Sequence, residues 1–209
     1  MTDSKKIVEI LIGCGAIALS PLRPFTYASG LEGPIYCDNR KILSFPKDRN
    51  IVVEAFLALI KNSGLEFDLL CGLATAGIPH ASFLADRLER PMIYIRSSNK
   101  SHGKKNLIEG VFKNGDKTLL VEDLVNQGSS LEKAILAARE AGLEVTDCIS
   151  IVSYSMEKAQ RVLEQTGVKL HSLVDFFSLC DHAKSLGKID EREYDLLKAW
   201  QSDPANWQA

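Results

Sequence analysis

An α/β fold, with a central and mostly parallel sheet flanked by helices, is predicted from two features of this 209-residue chain. Short apolar runs alternate with helical patterns from Leu69 onward, at an interval that suits successive β-α-β units. Strand and helix alternating in this way imply a sheet covered on both faces. The composition is that of a chain able to bury a core, with 45% apolar and 25% charged residues.

Taken in order, residues 6–19 read as an apolar helix stopped by Ser20, Pro21 and Pro24. Residues 25–45 read as short extended pieces around turns at Ser29-Gly30 and Gly33-Pro34. Asp48 precedes a helix whose Val52, Phe56, Leu59 and Ile60 share one face, ended at Gly64. Leu69 to Cys71 is a buried strand. A helix follows from about Ile78, with Ala81, Ser82, Ala85 and Leu88 toward the core. Further strands are expected at Met92–Ile95, Thr118–Val121, Cys148–Val152 and His171–Val174. Helices are expected around Leu131, Ala134, Ile135, Ala138 and Ala141, and from Glu157 to Gln165. The tail 176–209 reads as helical, anchored by Trp200 and Trp207.

Several functions are disfavoured at once. Lys and Arg number 25 and Asp and Glu 27, a net charge of −2, so a broad nucleic-acid surface is not expected. Cysteines at 14, 37, 71, 148 and 180 form no C-x-x-C and are odd in number; they read as reduced thiols of a cytoplasmic protein. The apolar run after Lys6 is broken by Glu9 and too short to span a bilayer. No G-x-x-x-x-G-K-[ST] occurs. Gly13, Gly15 and Ala18 match G-x-G-x-x-A, but Pro21 and Pro24 leave no room for the helix that must follow, so close helix packing is the better reading. His80, His171 and His182 lack metal-partner spacing and read as packing or surface residues.

Ligands of parallel sheets bind beyond the carboxyl ends of strands. The informative stretch is 118–132. An apolar strand runs into Glu122 and Asp123, then through Leu124 and Val125 into the polar loop Asn126, Gln127, Gly128, Ser129, Ser130 and a helix. Ser129 and Glu132 have the spacing of a capping box, which sets the expected helix start. Free backbone N–H groups there favour an anion. The acid pair suits sugar hydroxyls or a nearby metal. This stretch resembles the signature of the type I phosphoribosyltransferases, which bind 5-phosphoribosyl diphosphate (PRPP). The resemblance implies that Glu122 and Asp123 contact the ribose hydroxyls and that 124–130 hold the 5′-phosphate.

Four further stretches extend the likeness. Residues 96–110 form a long basic loop carrying Arg96, Lys100, His102, Lys104 and Lys105, whose R-x-x-x-K-x-H-G pattern resembles the lid of the orotate phosphoribosyltransferase family. Residues 25–40 look like that family's base-binding hood, and Gly72 to Ala81 like its diphosphate turn. The tail, with Lys198, Trp200, Asp203, Pro204 and Trp207, is similar to one bacterial branch. What the resemblance implies is a single domain: hood roughly 1–45, core 46–175, tail 176–209. It implies transfer of phosphoribose from PRPP to orotate, with Mg²⁺ carried mainly through PRPP rather than by protein side chains. Lys100, Asp123 and Glu122 would be catalytic. Arg96, Lys100 and His102 would serve the diphosphate, and Asn126, Tyr36 and Phe25 the orotate. A homodimer sharing its lid across the interface is implied, with no nucleic-acid or membrane partner. The chain departs from other members at Ala28, Ala76, Ser97, Ser98 and Ser155, where basic residues are found in some of them. A transferase for another base and a PRPP-binding regulator are the alternatives.

Overall fold

The computed structural model describes residues 4–27, 29–97 and 107–208. The elements run α1 (Ser4–Gly13), β1 (Ile17–Leu19), β2 (Phe25–Thr26), β3 (Glu32–Gly33), β4 (Ile35–Cys37), a 3-10 turn (Asn39–Ser44), α2 (Pro46–Asn62), β5 (Leu69–Leu73), α3 (Gly77–Leu88), β6 (Met92–Ile95), β7 (Ile108–Glu109), β8 (Lys117–Val125), α4 (Ser129–Glu140), β9 (Glu144–Ser153), α5 (Glu157–Thr166), β10 (Lys169–Asp175), α6 (Phe176–Ser185) and α7 (Glu191–Ser202).

The main sheet has the order β10-β9-β8-β5-β6-β7. Every neighbouring pair is parallel except β6–β7, which is antiparallel. Alternate strand residues enter opposite cores, as the two-residue period of a strand requires. Leu70, Leu119 and Val121 join the layer that holds α1, α2, α3 and α6. Leu69, Cys71, Leu120 and Cys148 join the layer under α4 and α5. Two small antiparallel sheets, β1–β4 and β2–β3, make up the N-terminal hood. Among the described residues no helix is long and apolar enough to cross a membrane.

The helix expected over 6–19 stops at Gly13 instead. Gly15 turns the chain with φ of 71°, and Ile17 to Leu19 pair with Cys37 to Ile35 as a strand. Long-range pairing overrides the local apolar pattern there, and the G-x-G-x-x-A stretch is a helix-to-strand turn rather than a helix contact. Ser82 is exposed, while His80 and Leu84 face the core of α3. The short strand expected at Thr118–Val121 runs on to Val125, so the acid pair lies within the strand.

The tail forms two helices. Trp200 is 3% exposed and packs its ring near Tyr154 and Phe176, with centroids 5.7 and 5.8 Å away. Trp207 donates its indole N–H to the Leu196 carbonyl at 3.0 Å.

Candidate functional site

The site lies where β5, β6 and β8 end and α3 and α4 begin. Gly77 opens α3 against the end of β8: a Cβ at this position would overlap the Val121 carbonyl and come within 3.2 Å of Glu122 Cα. Only glycine allows so close an approach. The turn before it, Ala74 to Ala76, is thereby held beside the acid pair, and the Ala74–Thr75 peptide is cis.

Glu122 is buried and Asp123 half-buried. Glu122 Oε1 accepts the Asp123 backbone N–H at 2.9 Å. Among the described residues neither carboxylate has an ion-pair partner. Burial pushes the Glu122 carboxyl up to about 9, assisted by its hydrogen bond to Asp123 and by that neighbour's charge. In the free protein near neutral pH Glu122 therefore keeps its proton, which makes its carboxyl a hydrogen-bond donor beside Asp123.

Beyond β8 the chain forms a concavity of about 220 Å³ lined by Glu122, Leu124, Asn126, Ser129 and other loop residues. Gly128 occupies the residue before α4 with φ of 79°, and a Cβ on it would stand 2.9 Å from Ala159 Cα. The expected capping box is absent. Ser129 is the first residue of α4, and no side chain caps the helix. Glu132 N–H bonds instead to the Gly128 carbonyl at 2.8 Å. The first-turn N–H groups are thus spared a side-chain competitor, which suits an anion better than a capping box would. Val125 is buried and contributes its carbonyl, which accepts from Tyr154 N–H, rather than its side chain.

Arg96 follows β6. Its Nη1 lies 3.8 Å from Glu109 Oε1, an ion pair too long to be a hydrogen bond. It shares a second concavity of about 410 Å³ with Ala74, Glu122, Ser130 and Lys133. Lys100, His102, Lys104 and Lys105 lie outside the described residues, as does Ala28.

On the hood, Phe25 and the exposed Tyr36 sit with ring centroids 5.8 Å apart. Three residues not singled out from the sequence complete this side. Tyr27 donates its hydroxyl to the Ile35 carbonyl at 2.5 Å, and burial pushes it up to about 12. Asn39 is fully buried and donates to the Asp123 carbonyl at 3.0 Å. Tyr154 lies beneath, near Cys37 and Asp123. Only Tyr27 had a visible signal, an aromatic in a strand-turn-strand stretch; the other two depend on contacts distant in sequence.

His80 packs between Phe56 and Phe83, and burial pushes it down to about 4. At Ser155 the backbone has φ of 52°, and Gln201 Nε2 donates to its carbonyl at 2.9 Å.

Comparison with known proteins agrees with this fold. A family model described as "Phosphoribosyl transferase domain" matches residues 46–165. The chain is 46% identical over 208 residues to an orotate phosphoribosyltransferase of Coxiella burnetii, covering 100% of each. It is 41% identical over 207 residues to one of Listeria monocytogenes, covering 99% of each. Among solved structures, an orotate phosphoribosyltransferase of Aeropyrum pernix superposes with a TM-score of 0.75 at 28% identity, covering 88% of this chain and 99% of that one.

Proposed function

The chain belongs to the orotate phosphoribosyltransferase family, and from that premise we propose how its residues divide the work. It transfers the 5-phosphoribosyl group from PRPP to orotate, yielding orotidine 5′-monophosphate and diphosphate, a step of pyrimidine nucleotide synthesis. A ring nitrogen of orotate forms the new bond to the sugar C1 as the bond from C1 to the diphosphate oxygen breaks, and the proton of that nitrogen is released to solvent or to the departing diphosphate. No protein nucleophile is required.

The observation that carries the division of roles is the acid pair in the last half of β8, shortly before the loop that leads to the uncapped start of α4. The 5′-phosphate takes the N–H groups of Asn126 to Ser130. The two vicinal ribose hydroxyls take Glu122 and Asp123. With Glu122 protonated, the pair offers both a donor and an acceptor to them. Negative charge beside the sugar ring also favours the cationic character that develops at C1, and a half-buried position strengthens that effect. Arg96, with Lys100 and His102, meets the charge growing on the diphosphate. Phe25 and Tyr36 flank the base, and Asn126 bonds its edge.

The carboxyl groups of Glu122 and Asp123, with no ion-pair partner among the described residues, supply oxygen ligands that a hydrated divalent cation would accept once Glu122 has given up its proton. Mg²⁺, carried in with PRPP, would neutralise diphosphate charge. The chain would act as a cytoplasmic homodimer, with Lys100, His102, Lys104 and Lys105 serving the neighbouring site.

The test is the fall in orotate absorbance on mixing protein, PRPP and Mg²⁺. Loss of signal with orotate, none with uracil or a purine, and abolition by a chelator are the expected results. Turnover of a purine in preference to orotate would overturn the base assignment.

A further inference from the structure

Asp123 stands where the sheet runs out on one side. The ladder between β8 and β5 ends at the pair Gly72 and Val121. On the other side β9 pairs with Glu122 and Leu124, through Ser150 and Val152. Successive residues of a central strand present their backbone groups to opposite neighbours. The N–H and C=O of Asp123 therefore face the side from which β5 has departed. Backbone groups removed from water must find partners, and here both partners are side chains. Glu122 Oε1 accepts the N–H at 2.9 Å, and Asn39 Nδ2 donates to the C=O at 3.0 Å.

Asn39 comes from the hood, 84 residues away in sequence, and is 0% exposed. Cys37 lies beside it and also neighbours Tyr154 and Asp123. Its own Oδ1 is buried without a hydrogen-bond partner. An asparagine with an orphaned acceptor is a poor choice for stability alone, because an apolar residue of similar size would leave no such atom on its own side chain. What the amide supplies is the bond to the Asp123 carbonyl and an interaction with the neighbouring Cys37 thiol.

We propose that Asn39 is a positioning residue for the transfer: it stands in for the missing strand, fixes the Asp123 peptide, and so locks the carboxylate that grips ribose to the hood that holds the base. This rests on the sugar-site reading above. The consequence is mutual alignment of the base nitrogen and the sugar C1, since both halves of the site are joined through one hydrogen bond. Alignment of reacting atoms acts mainly on the chemical step.

The test compares Asn39→Leu with the unaltered chain by calorimetry, using ribose 5-phosphate and inorganic phosphate as separate probes. Phosphate needs only the loop 126–130, whereas the sugar also needs Asp123. The expected result is about tenfold weaker binding of ribose 5-phosphate, with phosphate affinity held within about twofold. In turnover, kcat should fall more than KM for PRPP rises. In an Asp123→Asn background the same substitution should have little further effect on sugar binding, because the two changes remove one interaction. Asn39→Ser serves for the same comparison where the leucine variant does not fold. A lowered melting temperature with the ratio of the two affinities unchanged would make Asn39 purely structural and overturn the proposal. The unaltered chain separates the two readings: absence of orotate turnover with sugar discrimination intact refutes the base assignment alone, whereas normal turnover with an unmoved ratio in Asn39→Leu refutes the positioning role alone.

Discussion

Two titratable side chains at the site are held away from their ordinary charge states, and each leaves a mark on stability. Glu122 is raised to about 9 from 4.5. Between those values the folded chain holds a proton that the unfolded chain has released, so stability declines as pH rises through that window. His80 is lowered to about 4 from 6.5. Between those values the unfolded chain holds the extra proton, so stability declines as pH falls. From about pH 4.5 to 6.5 the two slopes oppose each other; above pH 6.5 only the Glu122 slope of the two remains, until near pH 9 the buried thiols Cys37, Cys71, Cys148 and Cys180, raised by burial, add a decline of the same sign. Urea midpoints of the unligated protein should therefore fall from about pH 6.5 to 8, below the range where the buried thiols contribute, and Glu122→Gln should flatten that decline. A decline unchanged in the variant would assign it to another group. For catalysis, Asp123→Asn should lower kcat by roughly 10²–10³, the range seen when one donor or charge aimed at a transition state is lost. Stopped or continuous orotate assays measure it, and turnover within about twofold of the parent would remove Asp123 from its role.

The elements around the site are shaped by close approach. Gly128 combines a left-handed backbone with contact to α5, so two separate constraints select glycine there. Gly128→Ala should destabilise the fold by about 1–3 kcal/mol through backbone strain. It should also weaken inorganic phosphate binding, because the loop must shift to relieve the contact with Ala159. Thermal unfolding and phosphate calorimetry measure the two effects. Unaltered phosphate affinity would show that the loop is not the anion site. The missing capping box belongs to the same logic. Ser129 has the right spacing to Glu132, yet the left-handed Gly128 takes the position before the helix and puts Ser129 inside it. Spacing alone did not reveal this, because the choice of first residue depends on how α4 meets α5.

Across the molecule, the hood, the sheet and the C-terminal tail meet at one aromatic cluster. Tyr154 packs against Phe176 and Trp200 and also neighbours Cys37 in the hood. Trp200→Ala should cost about 3–5 kcal/mol. Since the cluster underlies the hood, KM for orotate should rise with it, as measured on protein kept well below its new melting temperature. An unchanged KM would separate the tail from the base site.

Much of this architecture was legible in the linear chain. The β-α-β order, and a strand carrying an acid pair into a polar loop and a helix, are encoded by contiguous residues, so hydrophobic period reveals them before any folding is known. The helix expected across Gly13 to Leu19 failed because a strand partner 20 residues away in the register, Ile17 with Cys37, outweighed local propensity. Contacts between distant segments decided the rest: the seat of Asn39 on Asp123, the proton kept by Glu122, the neutral His80 between two phenylalanines. Each depends on which groups burial brings together and on what water it removes. Those quantities exist only once the sheet order is made, and no local window of residues carries them.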